Sequence, residues 1–144
     1  MRSVLLPVDG SKHALAAAWY LIEFVKVHGL IDIHVANIEP EPLQWQTHGL
    51  EQEAIQEQLT TRGAMSMQPV IDTFAQAGIK CHTYVKFGDP AHTIVALANE
   101  IGCDTIVMGT RGLGGLAALA LGSVTRKVLH LSRLPVICIQ AGEH

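Results

Sequence analysis

Short apolar runs alternate with segments of helical periodicity along the chain. The runs are rich in Val, Ile and Leu, and most of them end at Gly, Asp or Pro, which is typical of buried strands. They predict five strands, at residues 3–8, 30–38, 79–87, 104–108 and 134–140. The segments between the first four runs repeat apolar residues every three or four positions, which predicts helices.

The helix boundaries carry local signals. Ser11 is a candidate N-cap for the first helix. Gly63 and Pro69 interrupt the second periodic segment and predict a kink or a break there. Asp89 followed by Pro90 is typical of an N-cap and the first helical position. A last helix is expected to begin at residues 122–123.

Five strands separated by helices predict an α/β fold with a mainly parallel sheet and helices on both faces. We expect a single-domain, Rossmann-like open sheet with strand order 3-2-1-4-5. Ligands of such sheets bind beyond the carboxyl ends of the strands, where the strand order reverses. The loops to consider therefore follow the first strand, at residues 7–11, and the fourth strand, from residue 108 onward.

Length and composition narrow the class of protein. The 144 residues fit one domain, 1–144, and 49% hydrophobic with 16% charged residues excludes a disordered chain. Three scattered cysteines exclude a disulfide scaffold, and a net charge of −3 argues against a nucleic-acid partner. Eight histidines show no zinc-ligand spacing. No segment is long enough to span a membrane, and the first apolar run is cut off by Asp9, so we expect a cytoplasmic protein.

The glycine-rich stretch 109–125 carries the strongest chemical signal. Glycines let backbone amides approach a ligand closely, and the free amides of residues 123–125 at a helix start favour an anion. The hydroxyls of Ser123 and Thr125, together with Arg111, add donors to the same place. The stretch lacks the Gly-Lys-Ser/Thr of a P-loop, and it follows the fourth strand, not the first as a dinucleotide fingerprint does.

The spacing Gly-x2-Gly-x9-Gly-Ser/Thr in this stretch is similar to the nucleotide-binding signature of universal stress proteins. The resemblance covers nearly the whole chain, including Leu-Leu-Pro-Val-Asp-Gly-Ser at the start, the Gly-Asp-Pro turn at 88–90 and Leu-Pro-Val at 134–136. It implies binding of ATP. A Mg²⁺ ion carried by the nucleotide is consistent with this chain, because Mg²⁺ often relies on substrate phosphates and few protein ligands. The matching positions near the adenosine half are Pro7, Val8, Asp9 and Val35. Those near the ribose and phosphates are Met108, Gly109, Arg111, Gly112, Gly122, Ser123, Val124 and Thr125.

Simpler interpretations stay open for several of these residues. The glycines alone are also consistent with a tight turn between a strand and a helix. Asp9 is equally suited to binding the ligand and to a local role, either forming a turn or capping the first helix. Arg111 is also consistent with a solvent-exposed charge in a loop. Val35 and Met108 are also consistent with ordinary core residues of such a sheet.

No catalytic signature accompanies the glycine stretch. The chain has no Gly-x-Ser-x-Gly elbow, no kinase motifs and no Ser-Gly-Gly-x-Asp-Ser loop after the first strand. We therefore expect an ATP-binding regulator acting on an unidentified protein partner, without catalytic residues. The alternatives are a slow ATPase or autophosphorylating protein that uses the same pocket, and an interaction protein that binds no nucleotide.

The last predicted strand, 134–140, is uncharged and β-prone. At the edge of a 3-2-1-4-5 sheet, such a strand invites aggregation unless it is covered. Antiparallel pairing of two copies covers both edges, and the family resemblance implies a homodimer of that kind.

Overall fold

Nine elements alternate strictly between strand and helix in the computed structural model, which describes residues 1–41, 50–110 and 121–141. The strands are β1 Ser3–Pro7, β2 Asp32–Glu39, β3 His82–Phe87, β4 Thr105–Thr110 and β5 Val136–Gln140. The helices are α1 His13–His28, α2 Leu50–Gln76, α3 Pro90–Ile101 and α4 Ser123–Leu131. The five strands are parallel and lie in the order β3-β2-β1-β4-β5, which confirms the predicted sheet.

The central strand β1 divides the core between the two faces of the sheet. Val4 and Leu6 are fully buried with α1 and α2 on one face, whereas Leu5 is fully buried with α3 and α4 on the other. Successive side chains of a strand point to opposite faces, so one apolar run supplies both halves of the core. Burial on both faces is why β1 is a continuous apolar run.

The α2 helix runs without a break through Gly63 and Pro69, so of the predicted kink or break, the break does not occur. Gly63 has a packing reason to be glycine. A β-carbon there would lie 2.7 Å from Asn37 Oδ1 and 2.9 Å from a methyl carbon of Val85, so glycine lets α2 approach the sheet. The propensity cost of glycine is outweighed by this tertiary contact.

Several predicted boundaries also move. Ser11 does not cap α1, because the N-cap position is Lys12 and no side chain bonds to the helix there. The β4 strand does not end before Gly109, because Gly109 and Thr110 pair with β5. Asp89 does cap α3, accepting a hydrogen bond from the His92 N–H at 3.1 Å, as predicted. Within the described ranges, no helix combines the length and apolarity needed to cross a bilayer.

Candidate functional site

A cleft of about 600 Å³ opens beyond the carboxyl ends of β1 and β4. These strands are neighbours in the sheet. After β1 the chain continues to β2 on one side, and after β4 it continues to β5 on the other side, so the cleft lies where the strand order reverses. The starts of α1, α3 and α4 form its other walls. A more open depression of about 710 Å³ lies along α2, and all of its described wall residues except Gly10 belong to that helix.

The cleft brings together nine of the twelve residues that the sequence nominates. These are Pro7, Val8, Asp9, Met108, Gly109, Gly122, Ser123, Val124 and Thr125. Arg111 and Gly112 lie outside the described residues. Val35 is placed elsewhere, because its side chain is fully buried with Val4 and Leu6 on the face covered by α1 and α2. Its neighbours Ala36 and Ile38 line the cleft from β2 instead.

The loop between β1 and α1 is shaped by Asp9. One carboxylate oxygen of Asp9, Oδ1, accepts a hydrogen bond from the Ser11 N–H at 2.9 Å, while Gly10 adopts a φ of +87°. Glycine suits that positive φ because it has no β-carbon to clash with the backbone. Asp9 therefore forms the turn, as one of its two interpretations predicted, and it also lines the cleft.

Asn37 fixes the same loop by a hydrogen bond, and no sequence pattern had identified this residue. Its side-chain N–H donates to the Val8 carbonyl at 2.9 Å, and the Val8 N–H donates to the Ala36 carbonyl at 2.7 Å. Asn37 is buried, so this hydrogen bond is shielded from water. A single amide inside an apolar strand was the available signal, because a buried amide needs a partner.

Gly109 is a point of close packing between β4 and α1. A β-carbon at this position would overlap the carbonyl oxygen of His13, the first residue of α1. The absence of a side chain therefore lets α1 sit directly against β4, so that His13 reaches the wall of the cleft. The glycine is explained by packing as well as by its place in the loop.

The N-terminus of α4 is open to the cleft. Gly122 is the N-cap, and none of the described side chains caps the first amides of the helix. Those amides carry partial positive charge and lack partners within the helix. Ser123 is exposed at the cleft, and Thr125 is buried behind it. Oxygen atoms of an anion fit such a position.

The chemistry of the wall changes from one side of the cleft to the other. Ala36, Ile38, Ile94 and Met108 form an apolar side, which suits a flat, weakly polar group. The α4 N-terminus forms the polar side. Asp9 is the only carboxylate among the described residues of the wall. Near the start of α3, hydrogen bonds from the side chain and backbone of His92 lower the pKa of Asp89.

Fold and cleft together define an α/β protein with an open helix N-terminus at the switch point of a parallel sheet. Comparison with known proteins narrows this class. The model of the universal stress protein family matches residues 1–140. The chain belongs to the universal stress protein family.

The sequences of individual relatives align with nearly the full length of this chain. Universal stress protein Sll1654 of Synechocystis is 33% identical over 96% of this chain and 85% of its own length. Universal stress protein MJ0531 of Methanocaldococcus jannaschii is 30% identical over 96% of this chain and 82% of its own length.

Solved structures share the fold. Protein MJ0577 of the same archaeon superposes with a TM-score of 0.77 at 24% identity, covering 100% of this chain and 99% of its own. An Arabidopsis thaliana family member with AMP bound gives a TM-score of 0.72 at 17% identity, covering 99% and 93%. The Archaeoglobus fulgidus protein in complex with dAMP gives 0.60 at 20% identity, covering 96% and 98%.

Proposed function

We propose that this chain binds ATP, with Mg²⁺ carried by the nucleotide, and acts as a nucleotide-sensing regulator. In this proposal the adenine lies against the apolar side of the cleft, and the phosphates lie at the N-terminus of α4. Binding of the nucleotide then shifts the protein toward one conformation, and so changes the surface of the monomer or dimer that a protein partner contacts.

The observation that carries the proposal is the bare N-cap of α4. Gly122 has φ −59° and ψ 160°, which any residue adopts. A β-carbon added there would meet none of the described residues within 4 Å. The described fold therefore does not require glycine at this position, whereas a side-chain cap there would occupy the amides that a phosphate needs.

The size and polarity of the cleft support a nucleotide. Its volume of about 600 Å³ lies within the usual range for small-molecule sites. The apolar side accommodates a purine ring, and the polar side accommodates charged oxygens. The Arabidopsis relative with AMP bound and the Archaeoglobus relative with dAMP support an adenine nucleotide in particular. The choice of ATP rests on the glycine spacing of residues 109–123.

The proposed role is regulation, not fast catalysis. Phosphoryl transfer needs a group that orients the attacking water or hydroxyl. Asp9 is the only carboxylate in the described wall, and its Oδ1 already accepts the Ser11 N–H within the turn. We therefore propose at most slow hydrolysis in this cleft.

The proposal includes a homodimer through β5, which forms one edge of the sheet. The Pro135 carbonyl accepts from the Ile106 N–H at 3.0 Å. The Ala141 N–H donates to the Thr110 carbonyl at 3.1 Å. Odd-numbered residues of β5 thus bond to β4, and the even-numbered ones, Cys138 among them, direct their N–H and C=O to the free edge. A second copy of β5 satisfies these groups by antiparallel pairing.

Gly122→Asp tests the nucleotide site without removing a packing contact. Aspartate is a favourable N-cap, so we expect the variant to fold at least as stably as the wild type. Its carboxylate competes for the free amides and repels phosphate. Calorimetric titration with MgATP should therefore show affinity lowered at least about tenfold.

Lys127→Gln is the matched control for this experiment. It changes the net charge by the same amount on the same helix, at an exposed residue outside the cleft wall. We expect it to bind MgATP as the wild type does. Equal affinity in the Gly122→Asp variant and the wild type, or no binding by either, contradicts the proposal.

A further inference from the structure

His13 occupies a fixed place in the wall of the cleft. It is the first residue of α1 and is half-buried. Its carbonyl oxygen packs where a β-carbon of Gly109 would otherwise lie, so the position of its backbone is set by β4. Asp9 and Ser11 lie beside it in the same wall, and the start of α4 lines the cleft as well. No motif in the sequence singled out this histidine.

The imidazole of His13 has one nitrogen that the fold leaves without a partner. Nδ1 is buried and has no hydrogen-bond partner among the described residues. A neutral imidazole carries its hydrogen on only one of the two nitrogens. A hydrogen on Nδ1 would be a buried donor without an acceptor, which is costly. The preferred neutral form therefore carries its hydrogen on Nε2 and leaves only a lone pair at Nδ1.

The surroundings of His13 favour an acceptor as the partner of Nε2. Arg126 is the only Lys or Arg among the described residues of the wall, and Asp9 is the only carboxylate. One Asp9 oxygen already accepts the Ser11 N–H. A polyphosphate placed against the α4 amides brings several acceptor oxygens, and the Nε2–H of His13 adds a donor to the hydroxyls of Ser123 and Thr125 in the same wall.

We propose that His13 donates a hydrogen bond from Nε2 to a phosphate oxygen of the nucleotide bound in the cleft. His13 is then a specificity-determining residue that favours a nucleotide with a phosphate chain over the bare nucleoside. This inference rests on the proposed function, because it requires a nucleotide in the cleft.

Two variants separate this role from packing. His13→Gln keeps an N–H donor close to the place of Nε2, whereas His13→Leu keeps an apolar side chain without any donor. By calorimetry, we expect His13→Leu to lower the affinity for MgATP about tenfold and to leave the affinity for adenosine unchanged. His13→Gln should retain the affinity for MgATP within about threefold.

The outcomes distinguish this inference from the proposed function. If the wild type binds MgATP, Gly122→Asp loses binding and His13→Leu binds normally, the role of His13 is wrong and the nucleotide site stands. An equal loss of MgATP and adenosine affinity in His13→Leu assigns His13 a structural role and also overturns the inference. If the wild type binds no MgATP, both proposals are wrong.

Discussion

Gly109 and Gly122 both line the cleft, but they differ in what a side chain would meet. At Gly109 a β-carbon would overlap the His13 carbonyl, whereas at Gly122 it would contact none of the residues in the described ranges. The first glycine is therefore needed by the packing of α1 on β4. The second is not required by packing against the part of the chain that the structure describes, and the proposed phosphate site gives a reason for it. Both glycines belong to one sequence signature, so the sequence alone does not show that they have different causes.

Gly109→Ala should destabilise the protein strongly. The added methyl group overlaps backbone, which cannot move aside as the end of a side chain can, so α1 and β4 must separate. We expect the free energy of unfolding to fall by about 3 kcal/mol or more in urea titrations. Gly122→Ala is the control, with an expected change below about 1 kcal/mol. Equal stability of Gly109→Ala and the wild type would mean that α1 and β4 are not this close.

At the scale of elements, the sequence predicted the parts whose causes are local. The start of α3 is an example, because Asp89 and Pro90 act within one turn of the helix. A break in α2, one of the two predicted outcomes, does not occur, and Gly63 is explained by a contact with Asn37, 26 positions earlier in the chain. Periodicity within one segment carries no information about such a contact.

The β2 strand shows the same limit for the candidate site. Every residue from Ile33 to Asn37 is buried, so the pattern of apolar residues does not reveal which side chain faces which helix layer. The structure puts Val35 in the core and Ala36 in the wall of the cleft. His13 and Asn37 were missed for a related reason, since their importance depends on neighbours that are distant in sequence.

The pairing of β2 with β3 should respond to pH through His34. The rings of His34 and His82 stack with centroids 4.8 Å apart, and His34 Nδ1 shares a hydrogen bond of 2.9 Å with the Tyr84 hydroxyl. Burial, and next the nearby charge of His82, lower the pKa of His34, while Asp32 partly opposes the shift. The folded protein therefore holds the proton on His34 less tightly than the unfolded chain does.

The sign of the effect follows from this lowered pKa. Above the ordinary histidine pKa of about 6.5, His34 is neutral in both the folded and the unfolded state. Its titration therefore does not change the free energy of unfolding in that range. As the pH falls below that value, the unfolded chain takes up the proton first, and the folded state loses stability until its own pKa is passed.

We expect urea titrations of the wild type to show a free energy of unfolding that decreases between about pH 7 and about pH 5. His34→Gln should lose less stability over the same interval, because the amide does not titrate. An identical decrease in the variant and the wild type would assign the pH dependence to other groups.

At the scale of the whole molecule, β3 and β5 form the two edges of the sheet. The strand β5 has no charged residue, and Val136, Ile137, Cys138 and Ile139 are only partly buried. An uncharged, β-prone edge is a ready surface for pairing with another strand. This is the feature on which the proposed homodimer depends.

Cys138→Pro should convert the dimer to a monomer. Proline removes an N–H that points to the free edge and leaves the bonds between β5 and β4 in place. Light scattering on the wild type and on Cys138→Ala, which keeps the N–H, should give the mass of a dimer. A monomeric wild type, or a dimeric and folded Cys138→Pro variant, would show that β5 is not the interface.

The most direct test of the nucleotide site is an amide NMR titration of the wild-type protein with MgATP. We expect the largest chemical-shift changes at Gly122, Ser123, Val124 and Thr125, with further changes at Val8 and Asp9. The amide chemical shifts of His34 and His82, at the other end of the sheet, should not change. Shifts confined to the depression along α2 would contradict the account, as would the absence of any shift at millimolar MgATP.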